Sequence, residues 1–337
     1  MAVRFPPSTI LWLQKQDVLL AEENRFKRVW AEILREVQRR LSAEEWVSGS
    51  LGDLIQFYRD NWPNDQCAGV HYEVQCGDEF RRRGTAHVGL HIEQRLPKQV
   101  EVFARLRQLL LPYSPRLFKM MADCAPDMAA HWFAIGGTLG LADVTDDEIS
   151  EALERMMQTE SFVDEALFLT DKKTVWRTDF LAGNPKPYTK WHEGLGTGEE
   201  GGWEFSSDGG RLDSPCLKCD GRKSNYRDGK NIVMLSVGKP FNEFANGQRA
   251  YCSAVVHSAE GGQVQFYAQA TKEGGWQEAF DAPVPLKRVD RWQLACWEGE
   301  ISNPENYDFA KQGMNAFVMV KAPDPGLKID AIEIGLC

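Results

Sequence analysis

Three of the chain's six histidines fall in one short stretch, HYEVQCGDEFRRRGTAHVGLHIE, residues 71–93. Imidazole nitrogens and carboxylate oxygens are the donors that zinc and similar metals take, so a face carrying several of each is a candidate metal centre. The stretch alternates with period two. Val70, Tyr72, Val74 and Cys76 point one way and His71, Glu73 and Gln75 the other; further on, Ala86, Val88, Leu90 and Ile92 oppose Thr85, His87, His91 and Glu93. A hairpin closed across residues 77–83 sets His71 and Glu73 opposite or diagonal to His87, Gly89 and His91. His71, Glu73, His87 and His91 are therefore either ligands of a divalent metal or the water-facing side of an antiparallel sheet covered on its other side only. His131 adds to the site if its own strand brings it to that face.

Other constellations carry less chemistry. Cys216 and Cys219 form a C-x-x-C, but neither a second cysteine pair nor a histidine pair stands at zinc-ribbon spacing, and the eight cysteines read as reduced, buried small residues. Pro63, Asn64 and Asp65 followed by Glu73, Val74 and Gln75 come nearest to a magnesium-dependent nuclease core, with glutamine where that core needs lysine. Arg81, Arg82 and Arg83 read as a solvated turn. The chain has no G-x-G-x-x-G opening a helix, no Walker loop, no H-E-x-x-H and no G-x-S-x-G, which turns the expectation from an enzyme toward a binding or interaction protein.

The elements that must position these residues divide by texture. At 337 residues the chain exceeds the roughly 250 to 300 at which a single core stops growing, so two domains are expected. The first begins with a helix whose Phe26, Val29, Trp30, Ile33, Val37 and Leu41 form one stripe. SLGDLIQFYRDNW reads as a second amphipathic helix closed by Pro63, and the hairpin follows. PKQVEVFARLRQLLLP is helical, HWFAIGGTLGL strand-like, and TDDEISEALERMMQTESFVDEAL helical again, opened by a Thr145/Glu148 capping box. Residues 1–172 thus read as an α+β domain, helices on a small antiparallel sheet. From residue 173 to 337 short alternating runs are separated by turn segments such as SDGG, ANGQ, AEGG and KEGG, the pattern of an all-β sandwich.

Within that second half, NGQRAYCSAVVHSAEGGQVQFYAQA, RWQLACW and the closing LKIDAIEIGL resemble the back half of galactose-binding-like jelly rolls, including carbohydrate-binding modules. The resemblance implies a jelly-roll fold, a glycan as ligand and, in several family members, a structural calcium, for which Asp179 and Asp330 are the carboxylates to test. A sugar site needs aromatic rings for the C–H faces and amides for the hydroxyls. Alternation sets Val264, Phe266 and Ala268 inward and Gln265, Tyr267 and Gln269 outward; Tyr251 and His257 are cross-strand neighbours, and Gln293 and Trp297 share the outward parity. That face is alternatively a contact with a protein partner or another copy of the chain. The first half, over residues 50–168, is weakly similar to an uncharacterised domain that trails PD-(D/E)xK nucleases in some bacterial proteins, which implies a bacterial or phage setting and keeps a metal-dependent nuclease or hydrolase centred on Glu73 as the alternative.

A net charge of −10, from 39 basic and 49 acidic residues, works against attraction to nucleic acid phosphates. The first residues lack an apolar leader core, and no later stretch is apolar over a membrane span, so the expectation is a cytoplasmic chain with no membrane partner, or a secreted one if a leader has been removed.

Overall fold

The computed structural model describes residues 6–42, 45–64, 69–93, 96–121, 134–142, 144–182, 195–196, 203–219, 232–237, 247–272, 275–301, 314–321 and 326–337. Its contacts fall into two compact units, one formed by residues 1–99 and 118–157, the other by residues 100–117 and 158–337.

The first unit is a five-stranded antiparallel meander in sequential order: β1 (Val47–Leu51), β2 (Leu54–Tyr58), β3 (Val70–Gln75), β4 (Thr85–Ile92) and β5 (Ala134–Gly140). The run expected as a second helix is the β1–β2 hairpin instead. Gly52 adopts φ 61° in the two-residue turn between Leu51 and its partner Leu54, a conformation that ends a helix and suits a tight hairpin. Ile55 and Phe57 then alternate into the core, a period that seven residues do not separate from a helical one.

Long helix α1 (Pro7–Ser42) buries Trp30, Leu34, Val37 and Leu41, and its Trp30 indole donates to the Asp53 carbonyl at the hairpin turn (3.0 Å). Helix α5 (Asp146–Met157) packs on β3 and β4 through a face that includes Ile149, Ala152, Leu153 and Met156, and Arg40 of α1 ties to its Asp147 at 2.7 Å. The capping box forms as expected: the Thr145 amide donates to Glu148 Oε2 (2.8 Å) and the Glu148 amide to Thr145 Oγ1 (3.2 Å). Between β3 and β4 the arginine run is not a turn but the last turn of helix α2 (Asp78–Arg83), ended by Gly84 at φ 68°. Asp78 and Glu79 open it and the three arginines close it, charges that complement its dipole.

The second unit is a two-sheet β-sandwich. One sheet runs in the order β13 (Gly275–Leu286), β12 (Gly262–Lys272), β15 (Met314–Lys321), β10 (Ile232–Val237), β7 (Leu195–Gly196). The other runs β14 (Arg291–Glu300), β11 (Arg249–Ser258), β16 (Lys328–Leu336), β9 (Cys216–Cys219), β8 (Trp203–Ser206), with β6 (Lys173–Thr178) also on β16. Ala250, Cys252, Ala254 and Val256 from one sheet and Val264, Phe266 and Ala268 from the other fill the interior, as alternation predicts. Helices α3 (Gln99–Leu110, from Val100 on), the start of α4 (Ser114–Met120, as far as Leu117) and α6 (Glu160–Leu169) belong to this unit, so it reaches back beyond the change of texture near residue 172.

Candidate functional site

The β3–β4 register places His71 opposite His91, Glu73 opposite Gly89 and Gln75 opposite His87, so the expected cluster assembles on one face of the meander. It is not a wet face. His71 is 0% and Glu73 2% exposed, and burial makes the charge state of each group consequential.

Four donors converge here. His71 Nε2 lies 3.3 Å from Glu73 Oε2 and 4.0 Å from Glu93 Oε1; His91 Nδ1 lies 3.6 Å from Glu73 Oε2 and 3.4 Å from Glu93 Oε1. One ligand atom from each of His71, His91 and Glu93 falls within 4.8 Å of the others. A tetrahedral metal with bonds of about 2.0–2.1 Å spaces its donors about 3.3–3.4 Å apart, and three of the four separations lie close to that.

The tautomer of His71 follows from Asn64. Asn64 Oδ1 accepts from the Gly69 amide (2.9 Å), which identifies it as the oxygen, and it stands 3.3 Å from His71 Nδ1. Nδ1 therefore carries a proton, and Nε2 stands 3.3 Å from Glu73 Oε2 and 2.9 Å from the Gln56 amide nitrogen: without a metal, a cationic ring donates to Glu73 and a neutral ring accepts from Gln56. A direct contact between that nitrogen and the Glu73 carboxylate needs a cation between them, either a proton on the ring or a metal.

Burial alone would raise the Glu73 carboxyl, but hydrogen bonds and charge from His71 and His91 outweigh it and hold the group well below the usual carboxylate range. Gln75 donates to Glu73 Oε1 (2.8 Å) and fixes its other oxygen. Gln75 stands where a nuclease core needs a lysine; Asp65 and His131 lie outside the described residues.

His87 is set apart. Its ring stacks on Phe80 of α2 (5.5 Å between centroids), its Nε2 is 4.0 Å from Glu73 Oε1, and burial lowers its pKa. Among the described residues Nε2 is buried without a hydrogen-bond partner. Space for the ring comes from glycine: a Cβ on Gly89 would stand 2.9 Å from His87 Nε2, and one on Gly136 would stand 3.1 Å from His87 Cε1. The metal-type donors missed in sequence are Glu93 and the orienting Asn64. Glu93 shares the parity of His91 one step beyond the strand end, and that parity was the available signal.

The expected aromatic face of the sandwich does not assemble. Tyr251 is on the outer face of β11, where it is buried against Phe168 of α6 and donates to Glu333 (2.7 Å). Trp297 pairs with Cys252 and points into the sandwich, stacked on Phe280 at 4.2 Å. Gln293 shares that inward parity and accepts from the Lys287 and Arg288 amides (2.9 and 3.2 Å). The inversion of β14 has a physical cause: α6 packs on its outer face, so apolar residues stand on both faces and alternation no longer marks the interior. His257 keeps the outer parity beside Trp292, 3.3 Å from Asp290, with burial lowering its pKa. Gln265 and Tyr267 are on the other sheet's outer face, both 3% exposed, and Gln265 donates to Asp281, the cross-strand partner of Tyr267. Gln269 is in β12, with its side chain outside the described residues.

Asp330 is not placed to hold calcium. Its oxygens accept from the Arg211 amide (3.1 Å), Arg211 Nε (2.7 Å), Ser214 Oγ (2.7 Å) and Tyr113 Oη (3.0 Å), so a fixed cation and three further donors fill its surroundings. Asp179 accepts from the Leu181 amide at 3.4 Å. Cys216 and Cys219 point to opposite faces of β9, Cys219 into the sandwich core, which excludes a shared metal, and burial pushes the Cys216 thiol up to about 11.

No family model and no curated protein matches the chain. Solved structures similar to it include a xylan-binding CBM22 domain of a Paenibacillus barcinonensis xylanase (10% identity, TM-score 0.30, 48% of this chain and 99% of that one). A CBM6 module of Cellvibrio mixtus lichenase 5A in complex with cellotriose (12%, 0.26, 49% and 99%) and bacteriophage CBA120 tailspike protein 4 (9%, 0.28, 40% and 18%) are others. At such scores the likeness carries no argument, and the sandwich rests on its own strand pairing.

Proposed function

We propose that this chain binds a divalent transition-metal ion on the first unit's sheet, through His71, His91 and Glu93 with Glu73 as a further oxygen donor. The observation that carries the reading is the convergence of one donor atom each from His71, His91 and Glu93 within 4.8 Å of one another, with Glu73 Oε2 3.3 and 3.6 Å from the two imidazoles and Asn64 fixing the His71 ring. Mixed imidazole and carboxylate donors suit zinc, manganese, iron or nickel over calcium or magnesium. An ion held by three of these groups keeps a position for water, and the unpartnered His87 nitrogen near Glu73 is a base beside it.

Elemental analysis of the purified chain and titration of the chelated protein with zinc and manganese test this. One ion per chain is expected, lost in His91→Ala and in the isosteric Glu93→Gln, and kept in His87→Ala. Saturation at 100 times Kd should add about 2.7 kcal/mol of stability to the wild type alone. No uptake, or uptake indifferent to His91 and Glu93, would reject the site.

A second reading is glycan recognition by the sandwich, favoured by the Tyr267 ring beside the Gln265–Asp281 pair on one outer face. The burial of both side chains ranks it second. Retardation on immobilised xylan or cello-oligosaccharides that disappears in Tyr267→Ala would raise it; no retardation would remove it.

A further inference from the structure

The first half of α1 leaves an apolar surface uncovered. Leu11, Trp12, Leu13, Val18, Leu19 and Leu20 are 48–64% exposed, whereas the second half of the same helix buries Trp30, Leu34, Val37 and Leu41. The two halves share one stripe: Trp12 and Leu19 stand seven residues apart in line with Phe26 and Ile33, and Leu13 and Leu20 are in line with Leu34 and Leu41. A stripe that is core in one half of a helix and open in the other is cut for a partner, because six large apolar side chains on about three turns exceed what a monomer leaves in water.

We propose that residues 9–24 of α1 pair antiparallel with the same segment of a second copy of this chain. The charges choose that occupant. Lys15 and Glu22 lie on the same edge of the stripe as Leu11 and Val18, seven residues apart. In an antiparallel pair like edges meet, so a two-fold axis between residues 18 and 19 sets Lys15 against Glu22 of the other copy, and the reverse, while Leu19 meets Leu19. The segment's only other charges are Asp17 and Glu23, which leaves it acidic. A lipid surface takes amphipathic helices with basic polar faces, and this segment lacks one.

Sedimentation equilibrium of the full chain from about 1 to 100 μM tests the pairing, with circular dichroism to report folding. The wild type should sediment as a dimer and Leu19→Glu as a folded monomer. Lys15→Glu should raise the dimer Kd about tenfold, because two attractive contacts become repulsive, and Lys15→Glu with Glu22→Lys should restore it to within about threefold. A wild type monomeric at 100 μM, a dimer that survives Leu19→Glu, or a double variant no better than the single one would overturn the proposal. So would a monomer that instead binds phosphatidylcholine–phosphatidylglycerol vesicles through Trp12.

Discussion

At the scale of residues, the charge states around Glu73 make stability depend on pH in a defined sense. His87 is buried and its pKa lies below the ordinary 6.5, so as pH falls past 6.5 the unfolded chain takes up a proton that the folded chain refuses. Stability drops in that window. Glu73, held below 4.5, adds a second loss only as pH falls below 4.5, where the unfolded carboxyl protonates first. Urea unfolding of chelated protein at pH 7.5, 6.5 and 5.5 should therefore show a falling midpoint in the wild type and a shallower fall in His87→Gln. One proton can supply no more than about 1.4 kcal/mol per pH unit, which bounds the difference between the two. Parallel profiles for the two proteins would mean that His87 takes its proton as readily folded as unfolded.

At the scale of elements, period and parity were legible and coverage was not. The β3–β4 alternation places His71 against His91 because a pleat allows only two faces, and the register follows once the hairpin closes. What lies over a face is a tertiary fact, so His71 and Glu73 read as wet when they are buried. The same gap explains the sandwich. β11 and β12 keep a polar outer parity and are read correctly, whereas β14 carries Trp292, Leu294 and Cys296 under α6 and reads inside out. Mistaking β1–β2 for a helix also hid Gln56, the β2 residue opposite Glu73, from the candidate site. Charge runs failed in the other direction: three arginines looked like a turn because the helix they end is only six residues long.

For the whole molecule, the change of texture near residue 172 marks where strands begin, while the sandwich unit needs chain from before it. Glu165 of α6 pairs with Arg211 (2.8 Å) and with Arg177, and Arg105 of α3 reaches Glu333 (3.0 Å). Arg211 is fully buried, its guanidinium 3.8 Å from the Phe162 ring centroid, and Tyr113 donates to Asp330. Removing residues before 173 would leave Arg177 and Arg211 without Glu165, Glu333 without Arg105, and Tyr251 without Phe168. Breaking one buried ion pair from a single side costs about 3–5 kcal/mol, against a total stability of about 5–15 for a typical domain. Residues 173–337 expressed alone should therefore be loosely packed, binding the dye ANS and losing near-ultraviolet dichroism with strand content retained. Residues 100–117 and 158–172 supply the missing counter-charges, so adding back α6 alone, as residues 158–337, should recover part of the cooperativity. A 173–337 fragment that unfolds in one sharp transition without binding dye would show that the strands fold unaided, and that the buried charges tune the unit without holding it together.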